Sequence, residues 1–210
     1  MSLRLQTPAA ALPVTVQEAK LHCRKITDIA DVSDTSEDAL FTSLIGSATL
    51  EAEHIMGRAV MPQKWQVTLD SFIGAPEQYG VYVPAVQSIP LQRPTVTAID
   101  SIKYVDTSGV LQTLAPSVYQ LVGASDYAAR VVPAYGQSWP TPRTQPEAVQ
   151  IVFSTGYADA ASVPEPIKTW IKLRVGTMYE NRESTAADAR IAVVEFPFDG
   201  LLDRYRTFLL

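Results

Sequence analysis

The chain reads as an α+β protein: a small helical bundle drawn from both ends of the sequence, with a mostly antiparallel, β-rich insertion between them. Three observations predict this. In residues 166–183, Ile167, Trp170, Ile171, Val175, Met178 and Tyr179 follow the 3, 4, 7, 8 spacing that lines one face of a 3.6-residue helix. Residues 36–56 carry a comparable stripe, Leu40, Phe41, Leu44, Ile45, Ala48, Ala52, Ile55 and Met56, more than a hundred residues earlier. From about residue 59 to 157 prolines become frequent and apolar residues alternate with polar ones, the period of a half-buried strand. The expected organisation is therefore residues 1–58 as an arm and two helices, 59–157 as the insertion, and 158–210 as the helices that complete the bundle.

Residues 1–13 are small, mixed and proline-containing, and read as a loose arm. Thr15-Val16-Gln17-Glu18 has the capping-box form, in which hydroxyl and carboxylate each satisfy an orphan amide. It opens a helix with Val16, Ala19, Cys23 and Ile26 on its apolar face. Lys20, Arg24 and Lys25 fall on the other side and at the C-terminal end, where cations suit the helix dipole. Residues 27–35 form a polar, acidic loop. The long helix follows and stops at Gly57, a residue suited to the left-handed conformation of a helix C-terminus. Between Thr27 and Gly57 the charges are Asp28, Asp31, Asp34, Glu37, Asp38, Glu51 and Glu53, without one Lys or Arg.

In the insertion, Trp65, Val67 and Leu69 alternate with Gln66 and Thr68 as a strand, and 81–83 is a second. Residues 101–105 and 110–114 flank Asp106-Thr107-Ser108-Gly109 as a hairpin ending on a glycine able to take positive φ. Residues 119–122, 130–132 and 149–153 add short strands, while Pro84, Pro94, Pro116 and Pro133 mark strand ends, since proline has no amide for a central ladder. The late helix enters through Pro164 and Pro166, where a missing amide costs nothing, and runs to about Asn181. Burying Trp170, Ile171 and Met178 contributes roughly 1.5–3 kcal/mol each before ordering entropy is counted. Residues 184–190 are small and polar, 191–197 read as a strand or extended arm, and 197–206 as a short amphipathic helix with Leu201, Leu202 and Tyr205 on one face.

Composition narrows the function. The 210 residues are 47% hydrophobic and 19% charged with net charge -5, which suits one large globular domain and argues against non-specific nucleic-acid or anionic-membrane binding as the main task. Cys23 is alone, so an internal disulfide is impossible and a reducing compartment fits. No apolar run reaches the length of a membrane span and the first residues lack a signal-peptide pattern, so a soluble intracellular product is expected.

Each candidate for chemistry has a plainer explanation. His22 and Cys23 are adjacent on a helix, hence about 100° apart, and cannot act as a hydrogen-bonded nucleophile and base. His54 with Glu51 and Glu53 lacks the spacing and further ligands of a zinc site. Asp100, Asp106 and Asp126 sit in turn-like sequence, and none of the ten glycines lies two or three residues from another, as a phosphate loop requires. No cofactor or metal is expected. The loop from Pro133 to Pro140 displays Tyr135 and Trp139; it either grips a partner, as aromatic anchors do, or folds back on the sheet.

Several stretches resemble tailed-phage head-to-tail connector proteins. They are Val14-Thr15-Val16-Gln17-Glu18-Ala19-Lys20, Met56-Gly57-Arg58-Ala59-Val60, Trp65, Tyr104-Val105-Asp106 with Gly109, and Val132-Pro133-Ala134-Tyr135-Gly136-Gln137-Ser138-Trp139-Pro140. Gly156-Tyr157, Val163-Pro164, Tyr179-Glu180-Asn181-Arg182-Glu183 and Leu201-Leu202-Asp203-Arg204-Tyr205-Arg206 continue the series over nearly the whole chain. The resemblance implies a structural, non-enzymatic virion protein: a ring-shaped homo-oligomer between the portal of a DNA-filled head and the tail. It implies self-association, contact with portal and tail-completion proteins, packaged DNA passing nearby, no membrane, and residence in the host cytoplasm during assembly. Tyr135, Trp139, Arg182, Glu183, Tyr205 and Arg206 become candidate interface residues. Glu51 and Glu53 become candidates for an acidic channel lining that repels phosphate. Two other classes stand beside this one, a hydrolase using carboxylates of the insertion and a monomeric binding module.

Overall fold

The computed structural model describes residues 1–72, 88–124, 129–181 and 200–207. Helices and antiparallel sheets share the chain, as the α+β prediction requires. The chain divides into two compact units, one from Met1–Ala10 with Pro62–Gly156, the other from Ala11–Met61 with Tyr157–Phe208.

The second unit holds the helices: α1 (Val16–His22), α2 (Asp38–Met56) and α3 (Glu165–Glu180), each packed on the other two. The Thr15 capping box forms as predicted, with Glu18 N–H donating to the Thr15 hydroxyl at 3.1 Å and Thr15 N–H donating to the Glu18 carboxylate at 2.6 Å. The helix is shorter than expected, closing at Cys23 and turning away through Arg24, whose φ is 56°. Phe41, Ile45, Ala48, Ala52 and Met56 of α2 and Ile167, Trp170, Ile171 and Val175 of α3 share one buried cluster, so the two stripes are core partners. Pro164 precedes the first residue of α3 and Asn181 ends it.

Gly57 closes α2 at φ 70°. A Cβ there would lie 2.8 Å from the Thr207 hydroxyl, because Thr207 returns to this helix end and donates its N–H to the Met56 carbonyl at 2.8 Å. Gly57→Ala therefore combines a left-handed L-residue with a displaced C-terminal segment, and should cost about 1–2 kcal/mol in a urea melt. An unchanged midpoint would mean that Thr207 does not dock there. The residues just before Thr207 form a single 3-10 turn, Asp203–Tyr205, in place of the longer amphipathic helix predicted for 197–206. The predicted apolar face survives: Leu202 is buried, and Leu201 and Tyr205 pack against the same core.

The first unit holds two sheets where one was expected. A five-stranded sheet has the order β1-β2-β8-β4-β5, with β1 Ser2–Thr7, β2 Gln63–Leu69, β4 Val96–Val105, β5 Leu111–Thr113 and β8 Val149–Thr155. A three-stranded sheet has the order β3-β7-β6, with β3 Ile89–Leu91, β6 Tyr119–Val122 and β7 Ala129–Pro133. Every pairing is antiparallel. Val149, Ile151, Phe153 and Thr155 alternate into the core as period two demands.

The predicted loose arm is a correction: residues 2–7 form β1, set beside β2 with Leu3 opposite Val67 and Leu5 opposite Trp65. Its alternation is only two leucines long and its partner lies some sixty residues away, so it carries little weight without the sheet. β3 was unforeseen because Pro90 breaks the pattern; it survives as an edge strand, where a missing amide is tolerated. The predicted hairpin turn is present, with Gly109 at φ 87° and the Asp106 carboxylate accepting the Ser108 and Val110 amides, both at 2.9 Å. The strand predicted at 81–83, the segment 184–197, and Asp126, Arg182 and Glu183 lie outside the described residues.

Candidate interaction surfaces

The acidic run of residues 27–57 is largely spoken for. Asp28, Asp31 and Asp34 each accept the backbone amide two residues on, from Ala30, Ser33 and Ser36 at 2.9, 3.0 and 3.0 Å, so their spacing of three builds a series of turns. Asp31 and Asp34 are held below the usual carboxylate range, first by the hydroxyls of Ser33 and Ser36 and then by those amides. Cations arrive from elsewhere in the unit. Lys20, predicted on a solvent face, is 3% exposed, pairs with Asp38 at 2.6 Å and donates to the Asp34 carbonyl at 2.5 Å. Lys25 lies 3.5 Å from Glu37 and 5.0 Å from the centre of the Tyr179 ring, and the Tyr179 hydroxyl donates to Glu37 at 2.8 Å. Tyr179 also stacks on Phe41 at 4.9 Å.

Neither member of the predicted acidic lining is a bare carboxylate. Glu51 pairs with Arg174 of α3 at 2.8 Å. Glu53 is only 7% exposed and accepts the Val60 amide at 2.7 Å, which fixes the chain just after α2. A glutamate committed to a backbone amide cannot also present its charge to a channel, so the two do not form one exposed acidic face. A tertiary partner overrides the polarity of the side chain.

Arg58 is the largest departure from a sequence-based reading. It is fully buried, donates from Nη1 to the Tyr157 hydroxyl at 3.2 Å, and holds its guanidinium 5.9 Å from the centre of the Tyr205 ring. Three stretches far apart in sequence thus meet at one cation. Tyr205, a candidate interface residue, has its ring engaged within the unit, and Arg206 pairs with Asp203 at 3.3 Å.

The aromatic loop separates the two alternatives residue by residue. Trp139 folds back, stacked on Phe72 at 4.9 Å with 7° between ring planes. Tyr135 stands fully exposed at the tip of a turn closed by the Gln137 amide on the Ala134 carbonyl at 2.9 Å, with Gly136 at φ 73°. The base is tied down by the Ala134 amide on the Val118 carbonyl at 2.8 Å. A rigid turn presenting an aromatic ring has the form of an interface anchor.

His22 and Cys23 both lie beside Gly176 of α3. Burial and then the nearby Lys172 charge push the imidazole below its ordinary value near 6.5, while burial and then Glu180 push the Cys23 thiol up, against a smaller opposing effect of Lys25. A depressed histidine contributes stability that is fully present above 6.5 and is lost as pH falls through the lowered value. Urea midpoints at about pH 7.5 and 5.5 should therefore fall further for the wild type than for His22→Gln. Equal losses in both proteins would exclude this contribution. Among the described residues no group of three or more His, Cys, Asp or Glu is placed to hold a metal ion, and no helix is long and apolar enough to cross a membrane.

No family model and no curated protein matches the sequence. Solved structures do. A chain in the neck of an empty gene transfer agent (GTA) particle, computed with C6 symmetry, superposes with a TM-score of 0.75 at 24% identity, over 100% of this chain and 97% of that one. The two share one fold from end to end. A chain in the virion of a native GTA particle matches with a TM-score of 0.72 at 23% identity, and one in the neck of a native particle computed with C12 symmetry with 0.66 at 19%, each with the same coverage. The fold described above is thus one that GTA particles also contain.

Proposed function

We propose that this chain is a structural subunit of the neck of a phage-like particle, a connector or adaptor that forms a ring between the portal of the DNA-filled head and the tail. The observation that carries the reading is the end-to-end likeness to neck chains, covering both units and nearly all of the chain compared. A shared insertion or a single common unit would be weaker support. The ordered resemblance of the sequence to head-to-tail connectors points the same way. Under this reading the protein works by holding surfaces together. Its partners are further copies of itself, a portal ring and tail-completion proteins, with DNA passing nearby, and its location is the virion after assembly in the host cytoplasm. Tyr135 is the described residue best suited to anchor a partner.

The test is the mass of the pure full-length protein by light scattering, alone at high concentration and again with a portal ring, followed by electron microscopy of the larger species. A ring-shaped multimer, or stoichiometric binding to the portal, is expected. A monomer in both conditions excludes the ring.

A further inference from the structure

The five-stranded sheet ends on both sides in strands whose outer edges no described residue pairs. Five of the six residues of β1 and all three of β5 are exposed, in contrast to the alternately buried β8. Large apolar side chains stand open at both edges: Leu5, 39% exposed, on β1, and Val110 and Leu111, 54% and 53% exposed, at β5. The protections usual for a free edge are sparse, since β1 contains no proline and a single charge, Arg4, and β5 contains neither. Each edge offers unpaired amides and carbonyls, and each is what the other lacks.

We propose that β1 of one copy pairs with β5 of the next, so that the sheets join head to tail around the ring. This rests on the ring reading above and names the surface that builds it. Each neighbouring pair in the order β1-β2-β8-β4-β5 is antiparallel, so β1 and β5 point the same way. A copy that continues the sheet without inverting it therefore meets its neighbour as a parallel ladder. Such a contact joins two different surfaces and repeats, giving rings when the rotation closes, whereas β1 against β1 about a two-fold axis stops at a dimer. The ladder is short, limited by the three residues of β5. Ring closure offsets this, because removing one copy breaks two ladders at once.

Two experiments on the full-length protein test the pairing. Hydrogen–deuterium exchange across a dilution series should show protection of residues 2–7 and 111–113 that appears only with the multimer. Leu5→Lys and Leu111→Lys, both at exposed positions, should each reduce the multimer to monomer by light scattering while the melting temperature of the monomer stays unchanged. An equimolar mixture of the two variants should form a heterodimer, because one intact β1 edge and one intact β5 edge remain and no further copy can add. A wild-type multimer whose protected amides lie elsewhere, or lysine variants that assemble as the wild type does, overturns the edge pairing and leaves the ring standing. A wild type that never assembles, alone or with a portal ring, removes the ring reading and this surface with it.

Discussion

Trp170→Ala is expected to destabilise the helical unit by about 3–5 kcal/mol, the sum of lost transfer energy and the cavity left by a fully buried indole. Trp170 has no exposed surface and sits in the cluster that joins Phe41, Ile45 and Ala48 of α2 to Ile171 and Val175 of α3. A site lined from two helices cannot collapse around a smaller side chain without moving one of them, so little of the cost is recovered. For a chain of this size the loss corresponds to a fall in Tm of roughly 6–20 °C. Thermal melting of Trp170→Ala beside Trp170→Phe checks it. Phe should restore much of the loss by refilling volume, and an Ala variant melting within about two degrees of wild type would show that α2 and α3 are not mutual core partners.

Arg58→Ala should cost a comparable amount, about 3–5 kcal/mol, for a different reason. The truncation leaves a cavity, removes the hydrogen bond to the Tyr157 hydroxyl and strips the cation from the Tyr205 ring. A fully buried guanidinium also carries a desolvation penalty that its contacts only partly offset, so an apolar residue of similar length need not be worse. Arg58→Met should therefore recover at least half of what Arg58→Ala loses, read as urea midpoints at constant slope. If Met is as damaging as Ala, the charge and its hydrogen bonds hold this junction, and packing contributes little.

These expectations draw on two kinds of information that were unequally legible in the sequence. The capping box at Thr15, the stop at Gly57, the hairpin turn from Asp106 to Gly109 and the stripes of α2 and α3 all form where they were predicted. Each depends on residues within a few turns of one another. What sequence reasoning missed was settled by partners far along the chain. β1 takes its identity from β2, and the exposed charges expected between residues 27 and 57 were discounted by Lys20, Lys25 and Arg174. Of the candidate interface residues, Trp139 and Tyr205 have their rings engaged within their own units and Tyr135 stands free, a distinction that no local pattern carries.

By itself the sequence determined the helices, the turns, most of the strands and the α+β class, because helical and strand periods, glycine at positive φ and proline at element ends act over a few residues. The tertiary structure alone decided that Lys20, Glu53 and Arg58 are interior groups, and that the strands divide between two sheets. The reason is that burying a charge or a strand edge is favourable only where an oppositely polar group arrives to meet it. Glu53 waits seven residues for the Val60 amide, Lys20 fourteen for the Asp34 carbonyl, and Arg58 ninety-nine for the Tyr157 hydroxyl.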